Sequence, residues 1–176
     1  LSGIGRNNFD FGWYMREIMV PRGGEWTGKR YWLIIGASDF TTTLWVNGEL
    51  VGEHEGGYTP IEFDITDYLS GEDLDRLVLR CEDLGIQDRP EGKQVYGDAK
   101  GIWQTVYLEG RSPQHFDYVH FSPDIDSSMV AVTVKLAGEA AEDLIFSMAF
   151  ADDMVETVAE TIPAGTDSNL VDVPIP

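Results

Sequence analysis

Between positions 89 and 103, Arg89, Lys93, Gln94, Asp98 and Trp103, with Tyr96 among them, bring together hydrogen-bond donors, acceptors and aromatic rings. A polyhydroxylated ring needs that combination, because its C–H faces stack on aromatic surfaces while its hydroxyls take polar partners. The competing reading makes Trp103 a core residue and Arg89 and Lys93 solvated surface charges. Glu53 and Glu55 form a second candidate set. Residues two apart on an extended chain share a face, so the two carboxyls could serve as acid and base; a solvent-facing pair at a hairpin end accounts for them more simply. His54, His115 and His120 do not group with Cys81, and the last two fall five apart, which matches no metal-ligand spacing. A calcium site built from Asp and main-chain carbonyls is open to so acidic a chain, but no spacing names one. Gly23-Gly24 sits between two strand-like runs rather than between a strand and a helix, so it does not read as a phosphate loop. No cofactor is implied.

The elements that must position these side chains read as strands. In Phe40–Thr66, Leu44 and Val46 alternate with Thr43 and Trp45, the period of a half-buried strand. Asn47-Gly48 follows, a pair suited to positive φ at both turn centres, so Glu49–Gly52 returns as the partner strand. Gly56-Gly57 breaks the ladder, and Ile61–Ile65 is expected to add a third strand to the same sheet. Trp13–Val20 is apolar on both sides apart from Arg16 and Glu17, which predicts a strand covered on both faces. Arg30–Gly36, Leu77–Glu82 and Gly101–Leu108 are further strands, and Thr66 is placed to cap one helical turn through Leu69. The aperiodic segment 83–100 is long for a compact domain, and such segments more often bind than idle. Gly110–Gln114 marks a boundary. Beyond it come strand-like runs at Phe116–Phe121, Met129–Leu136, Leu144–Phe150, Met154–Thr161 and Leu170–Ile175.

Several spaced motifs then agree with one family. Gly12-Trp13-Tyr14 with Arg16 and Val20-Pro21, the hairpin Trp45-Val46-Asn47-Gly48, the run Gly52–Pro60, Phe63–Leu69, Gly92-Lys93-Gln94 and Gly101–Glu109 occur in the order found in the N-terminal sugar-binding domain of family 2 glycoside hydrolases. The chain resembles that domain over about residues 12 to 109; the family includes β-galactosidases, β-glucuronidases and β-mannosidases. The resemblance implies an all-β protein: a jelly-roll, galactose-binding-like β-sandwich at 1–112, shortened at its N-terminus, followed by a partial immunoglobulin-like β-sandwich at 113–176. The second unit has 64 residues where an immunoglobulin-like sandwich takes about 100. Family members hydrolyse glycosidic bonds with two glutamates on a barrel, one of them in an Asn-Glu pair, and this sequence contains no Asn-Glu dipeptide. Some members place an Asp on the sugar just before the closing strand. Val95 stands at that position here, with Gln94 and Asp98 as the nearby replacements.

The resemblance therefore implies an accessory region that supports the catalytic barrel of the same full-length chain and reaches carbohydrate through that enzyme, without turnover of its own. A free carbohydrate-binding module and a structural or oligomer-forming domain stay open as alternatives. The net charge of -19 is uneven, with 19 acids against 11 Lys and Arg in residues 1–112 and 12 acids against Lys135 alone beyond them. So anionic a surface argues against nucleic acid and anionic lipid as partners. No apolar run approaches the ~20 residues needed to span a bilayer. Residues 1–12 lack a basic-then-apolar leader, which favours the cytoplasm slightly and leaves a secreted or periplasmic location open. Cys81, within an alternating run, reads as a buried strand residue.

Overall fold

Fourteen strands and two 3₁₀ turns make up residues 10–71, 74–83, 100–148 and 158–174, which the computed structural model describes. They divide into two compact units, Leu1–Arg111 and Ser112–Pro176. Both are all-β sandwiches.

The first unit is organised by strands β4 (Thr41–Val46) and β5 (Glu49–Glu55), joined at Asn47-Gly48, where φ is +53° and +90° as the sequence demands. Asn47 also ties this turn to strand β7 (Asp75–Glu82). Its Nδ2 donates to the Asp75 carboxylate at 2.8 Å and its Oδ1 accepts from the Arg76 amide at 2.9 Å. With β1 (Phe11–Ile18), these strands form an antiparallel sheet in the order β1-β7-β4-β5. Facing it is a sheet in the order β6-β2-β9, from Ile61–Asp64, Arg30–Ile35 and Val106–Arg111. The short pair β3 (Ser38–Asp39) and β8 (Gly101–Ile102) closes one end. Leu44, Val46, Leu77 and Leu79 from one sheet meet Tyr31, Leu33, Ile35, Ile61 and Phe63 from the other. Their burial is the main source of stability, at ~25 cal/mol per Å² of apolar surface removed from water. A bulge in the β4–β5 register turns Leu50 outward with Trp45, while Gly52 returns to the inner face with Leu44. A Cβ on Gly52 would come within 3.0 Å of Phe63.

Four expectations need correction. Gly101–Leu108 is not one strand: Gly101–Ile102 pairs with β3, the chain leaves the ladder at Trp103, and Val106–Arg111 pairs with β2 in another sheet. Ile61–Asp64 does not extend the hairpin sheet but crosses to the opposite one, pairing with β2. Period-two patterning shows which side of a strand is apolar, not which layer the strand joins. Among the described residues, strand β1 is covered on one face only. Tyr14 and Ile18 pack on the core, whereas Phe11, Trp13 and Met15 are more than half exposed on an edge strand. Thr66 does not cap with its hydroxyl. That oxygen accepts from the Tyr31 amide at 2.8 Å and donates to Asp64 at 2.6 Å, and Asp64 itself accepts the Thr66 amide.

The second unit holds β10 (Phe116–Asp124), β11 (Met129–Leu136) and β14 (Ser168–Pro174) in one antiparallel sheet, and β12 (Leu144–Met148) with β13 (Val158–Ile162) in another. Val130, Val132, Val134 and Leu136 alternate inward from β11 and share a core with Phe146, Ile162, Val171 and Val173. This is the immunoglobulin-like packing of two sheets. No α-helix occurs among the described residues, and so none is long and apolar enough to cross a membrane.

Candidate functional site

Where β8 leaves the closing pair, the chain places Trp103 against the turn between β5 and β6. Its backbone is fixed first: the Trp103 and Gln104 amides both donate to the Ala37 carbonyl, at 3.2 and 3.4 Å, and the Gly36 amide donates to the Thr105 carbonyl at 2.9 Å. The indole N–H then donates to the Gly57 carbonyl at 2.8 Å, and Tyr58 meets the ring edge-on, with centroids 5.9 Å apart and planes at 68°. Tyr58 itself is 79% exposed. Space is tight at Gly57, where a Cβ would stand 3.1 Å from the Asp39 carboxyl carbon and would have to push that side chain aside. The same holds at Gly36, whose Cβ would clash with Gln104 at 2.9 Å. Beside this corner a shallow groove of about 560 Å³ runs over Ile34, Gly36, Pro60, Trp103, Gln104, Thr105 and Tyr107.

Among the described residues, the groove lining is aromatic and aliphatic with one amide, one hydroxyl and one phenol, and it contains no carboxylate. Such a lining can stack on and hydrogen-bond a neutral polyhydroxylated ligand. It has no group to transfer a proton at neutral pH.

Of the five residues singled out above, Trp103 is in this corner, half-buried, with its N–H engaged and part of its surface open. Arg89, Lys93, Gln94 and Asp98 lie outside the described residues. On either side of that segment, the Lys100 ammonium donates to the Asp83 carbonyl at 3.2 Å and sits 3.9 Å from the Asp83 and Asp10 carboxylates, its side chain only 12% exposed. Sequence reasoning does not single out Tyr58, Gly57 or Asp39. Gly56-Gly57 signals a close approach as well as a break, but a glycine pair alone does not say what approaches.

Glu53 and Glu55 lie exposed along β5, side by side on one face rather than opposed across a pocket, and Glu53 accepts the Thr43 hydroxyl at 2.9 Å. Cys81 is fully buried. Burial pushes its thiol up, against hydrogen bonds that include one from the Ser38 hydroxyl at 3.1 Å. Among the described residues, no three His, Cys, Asp or Glu side chains converge as a metal-ligand set.

A buried charge lies away from this corner. Asp75 is fully buried, and burial raises its carboxyl, but the Ser70 amide at 2.7 Å, the Asn47 amide and Arg22 together hold it below the usual carboxylate range. Arg22 stands 3.5 Å away.

Comparison with known proteins agrees with this architecture. Residues 4–108 match the family model described as "Glycosyl hydrolases family 2, sugar binding domain". The chain is 33% identical to a β-galactosidase of Thermoanaerobacter pseudethanolicus over 133 residues, 72% of this chain and 18% of that one. It is 46% identical to a β-glucuronidase of Canis lupus familiaris over 116 residues, 62% of this chain and 17% of the relative. It thus spans about a fifth of the length of these curated relatives. Among solved structures, a β-glucuronidase of Bacteroides uniformis superposes with a TM-score of 0.71 at 23% identity, over 93% of this chain and 21% of the other. One from Parabacteroides merdae reaches 0.77 at 18% identity, over 98% and 24%. At those identities the likeness concerns the fold, whereas the family match spans well over half of the sequence, so the chain belongs to glycoside hydrolase family 2 through its sugar-binding domain.

Proposed function

We propose that this chain is a non-catalytic region of a family 2 glycoside hydrolase of the β-galactosidase or β-glucuronidase type, which supports the catalytic barrel of the full-length protein and touches the sugar through the Trp103 corner. The observation that carries the reading is the separation of two features. The corner with sugar-compatible surface, Trp103 with Tyr58, has no carboxylate among the described residues of its groove, while the neighbouring glutamates Glu53 and Glu55 line one exposed strand instead of facing each other. A retaining glycosidase needs two carboxyls about 5–5.5 Å apart across the bond it breaks. Similarity to β-galactosidases and β-glucuronidases supports the substrate class.

The role divides cleanly in kinetics. In the full-length enzyme, Trp103→Ala removes a contact made to substrate and transition state alike, so KM rises several-fold while kcat changes little. Trp103→Phe keeps the ring, loses the bond to Gly57, and falls between. An unchanged KM in Trp103→Ala, with the fold intact by circular dichroism, would remove the corner from the sugar.

A further inference from the structure

The turn of the β4–β5 hairpin carries a chemically reactive pair. Asn47 and Gly48 are both exposed, and a Cβ added at Gly48 would meet nothing within 4 Å, so water reaches the turn freely. A backbone nitrogen attacks the side-chain carbonyl carbon of a preceding asparagine most readily when it belongs to glycine, which has no Cβ to crowd the approach. The Asn47 side chain is nevertheless tied down. Its Nδ2 donates to the Tyr68 carbonyl at 2.9 Å and to the Asp75 carboxylate at 2.8 Å, and its Oδ1 accepts from the Arg76 amide at 2.9 Å. A side-chain amide has two N–H donors, and both are in use. The Asn47 backbone amide donates to the Arg76 carbonyl at 2.9 Å and fixes the main chain of the turn as well.

We propose that Asn47 is a deamidation site which the folded chain holds closed, and that reaction there disables the turn irreversibly. The Gly48 nitrogen, giving its proton to solvent hydroxide, bonds to Asn47 Cγ; the Cγ–Nδ2 bond breaks, ammonia leaves and a succinimide closes. Water then opens that ring at either carbonyl. The product is aspartate or, with the main chain rerouted through the side chain, isoaspartate. As Cγ becomes tetrahedral, Oδ1 and Nδ2 leave the plane in which Tyr68, Asp75 and Arg76 hold them, so the reaction runs from a locally opened turn. Neither product can remake the contacts. Aspartate sets an oxygen where Nδ2 stood 2.8 Å from the buried Asp75 carboxylate and 2.9 Å from the Tyr68 carbonyl, acceptor against acceptor and charge against charge. Isoaspartate lengthens the backbone of a two-residue turn whose flanks, Val46 and Glu49, are paired in register. Strand β7 then loses its tie to the hairpin. The proposal does not rest on the role given to Trp103, and either can fail alone.

The test incubates the 176-residue chain in mildly alkaline buffer, folded or unfolded in guanidinium chloride. Conversion of Asn47 is followed by peptide mass spectrometry, with enzymatic methylation to mark isoaspartate. Conversion should be about tenfold or more slower in the folded chain, since only the opened fraction reacts. Asp75→Asn weakens the hold on Nδ2. It should speed conversion several-fold in native buffer, with the fold confirmed by circular dichroism, and leave the rate in denaturant unchanged. The deamidated fraction, separated by its additional negative charge, should have a lower urea midpoint than the parent, and Asn47→Asp should reproduce that loss. An Asn47→Asp chain that does not fold would be the same loss at its limit. The proposal is overturned if Asn47 reacts equally fast folded and unfolded, if Asp75→Asn leaves the folded rate unchanged, or if the deamidated chain keeps the parent's midpoint.

Discussion

In the first unit both sheets feed the core, with Leu44, Val46, Leu77 and Leu79 on one side and Tyr31, Leu33 and Ile35 on the other, closed by Ile61 and Phe63. In the second, β11 alternates perfectly inward, but its neighbour β10 contributes nothing buried. Val119 and Phe121 pair with the buried Val134 and Val132, yet are 41% and 59% exposed. Among the described residues the second sheet there has two strands set against three, which leaves the third strand uncovered by them. The difference teaches that alternation states which residues are available for burial, while the width of the opposing layer decides which are buried. Strand β1 of the first unit repeats the lesson, since Trp13 lies on a face that no described layer covers.

Substitutions can sharpen or break that contrast. The largest effect is expected at Leu44, which is fully buried in the first core. Leu44→Ala should cost about 2–5 kcal/mol by leaving a cavity. Because the cores are separate, hydrogen exchange should speed up in β4 and β7 and stay slow in β11 and β14, and equal loss in both units would break the comparison.

Asp75→Asn comes next, at about 1–3 kcal/mol, because it weakens the buried acceptor of the Ser70 and Asn47 amides and removes the charge facing Arg22. Its carboxyl is depressed in the folded state, so its stabilisation is complete above the unfolded value of about 3.9 and is lost as pH falls through the lower folded value. Asp64 is depressed as well, burial raising it and Arg30 with Thr66 outweighing that. Urea midpoints should therefore decline in the parent as pH drops below about 4, and decline less in Asp75→Asn; parallel pH curves would contradict the assignment.

A smaller loss is expected for Gly110→Ala, whose Cβ would stand 2.8 Å from the Trp26 ring that stacks on Tyr31. Overpacking of this kind costs about 1–3 kcal/mol, towards the low end here because Trp26 is only half-buried and can shift; near-ultraviolet circular dichroism should report the displaced ring. Least of all, Phe121→Ser on β10 should change stability by no more than about 0.5 kcal/mol. A loss of 2 kcal/mol or more would show that β10 is packed in solution and would remove the contrast between the units.

Much of the fold is legible in the order of the amino acids. The Asn47-Gly48 turn, the alternation of β4, β7 and β11, and the buried place of Cys81 follow from turn chemistry and period. The crossing of Ile61–Asp64 to the other sheet is not, because both sheets present the same inward period. The Thr66 hydroxyl escapes a local reading since Tyr31, 35 positions away, competes for it. At the site, Trp103 can be named from its type and place, whereas Tyr58 meets it, and Asp39 closes on Gly57 behind it, only through a turn whose position depends on tertiary packing.

The accessory role itself is most directly tested by incubating the purified 176-residue chain with nitrophenyl β-galactoside and β-glucuronide. The account predicts no release of nitrophenol above that from buffer alone. Turnover that persists through purification and vanishes in Glu53→Gln or Glu55→Gln would contradict it, because it would place the chemistry on β5 itself.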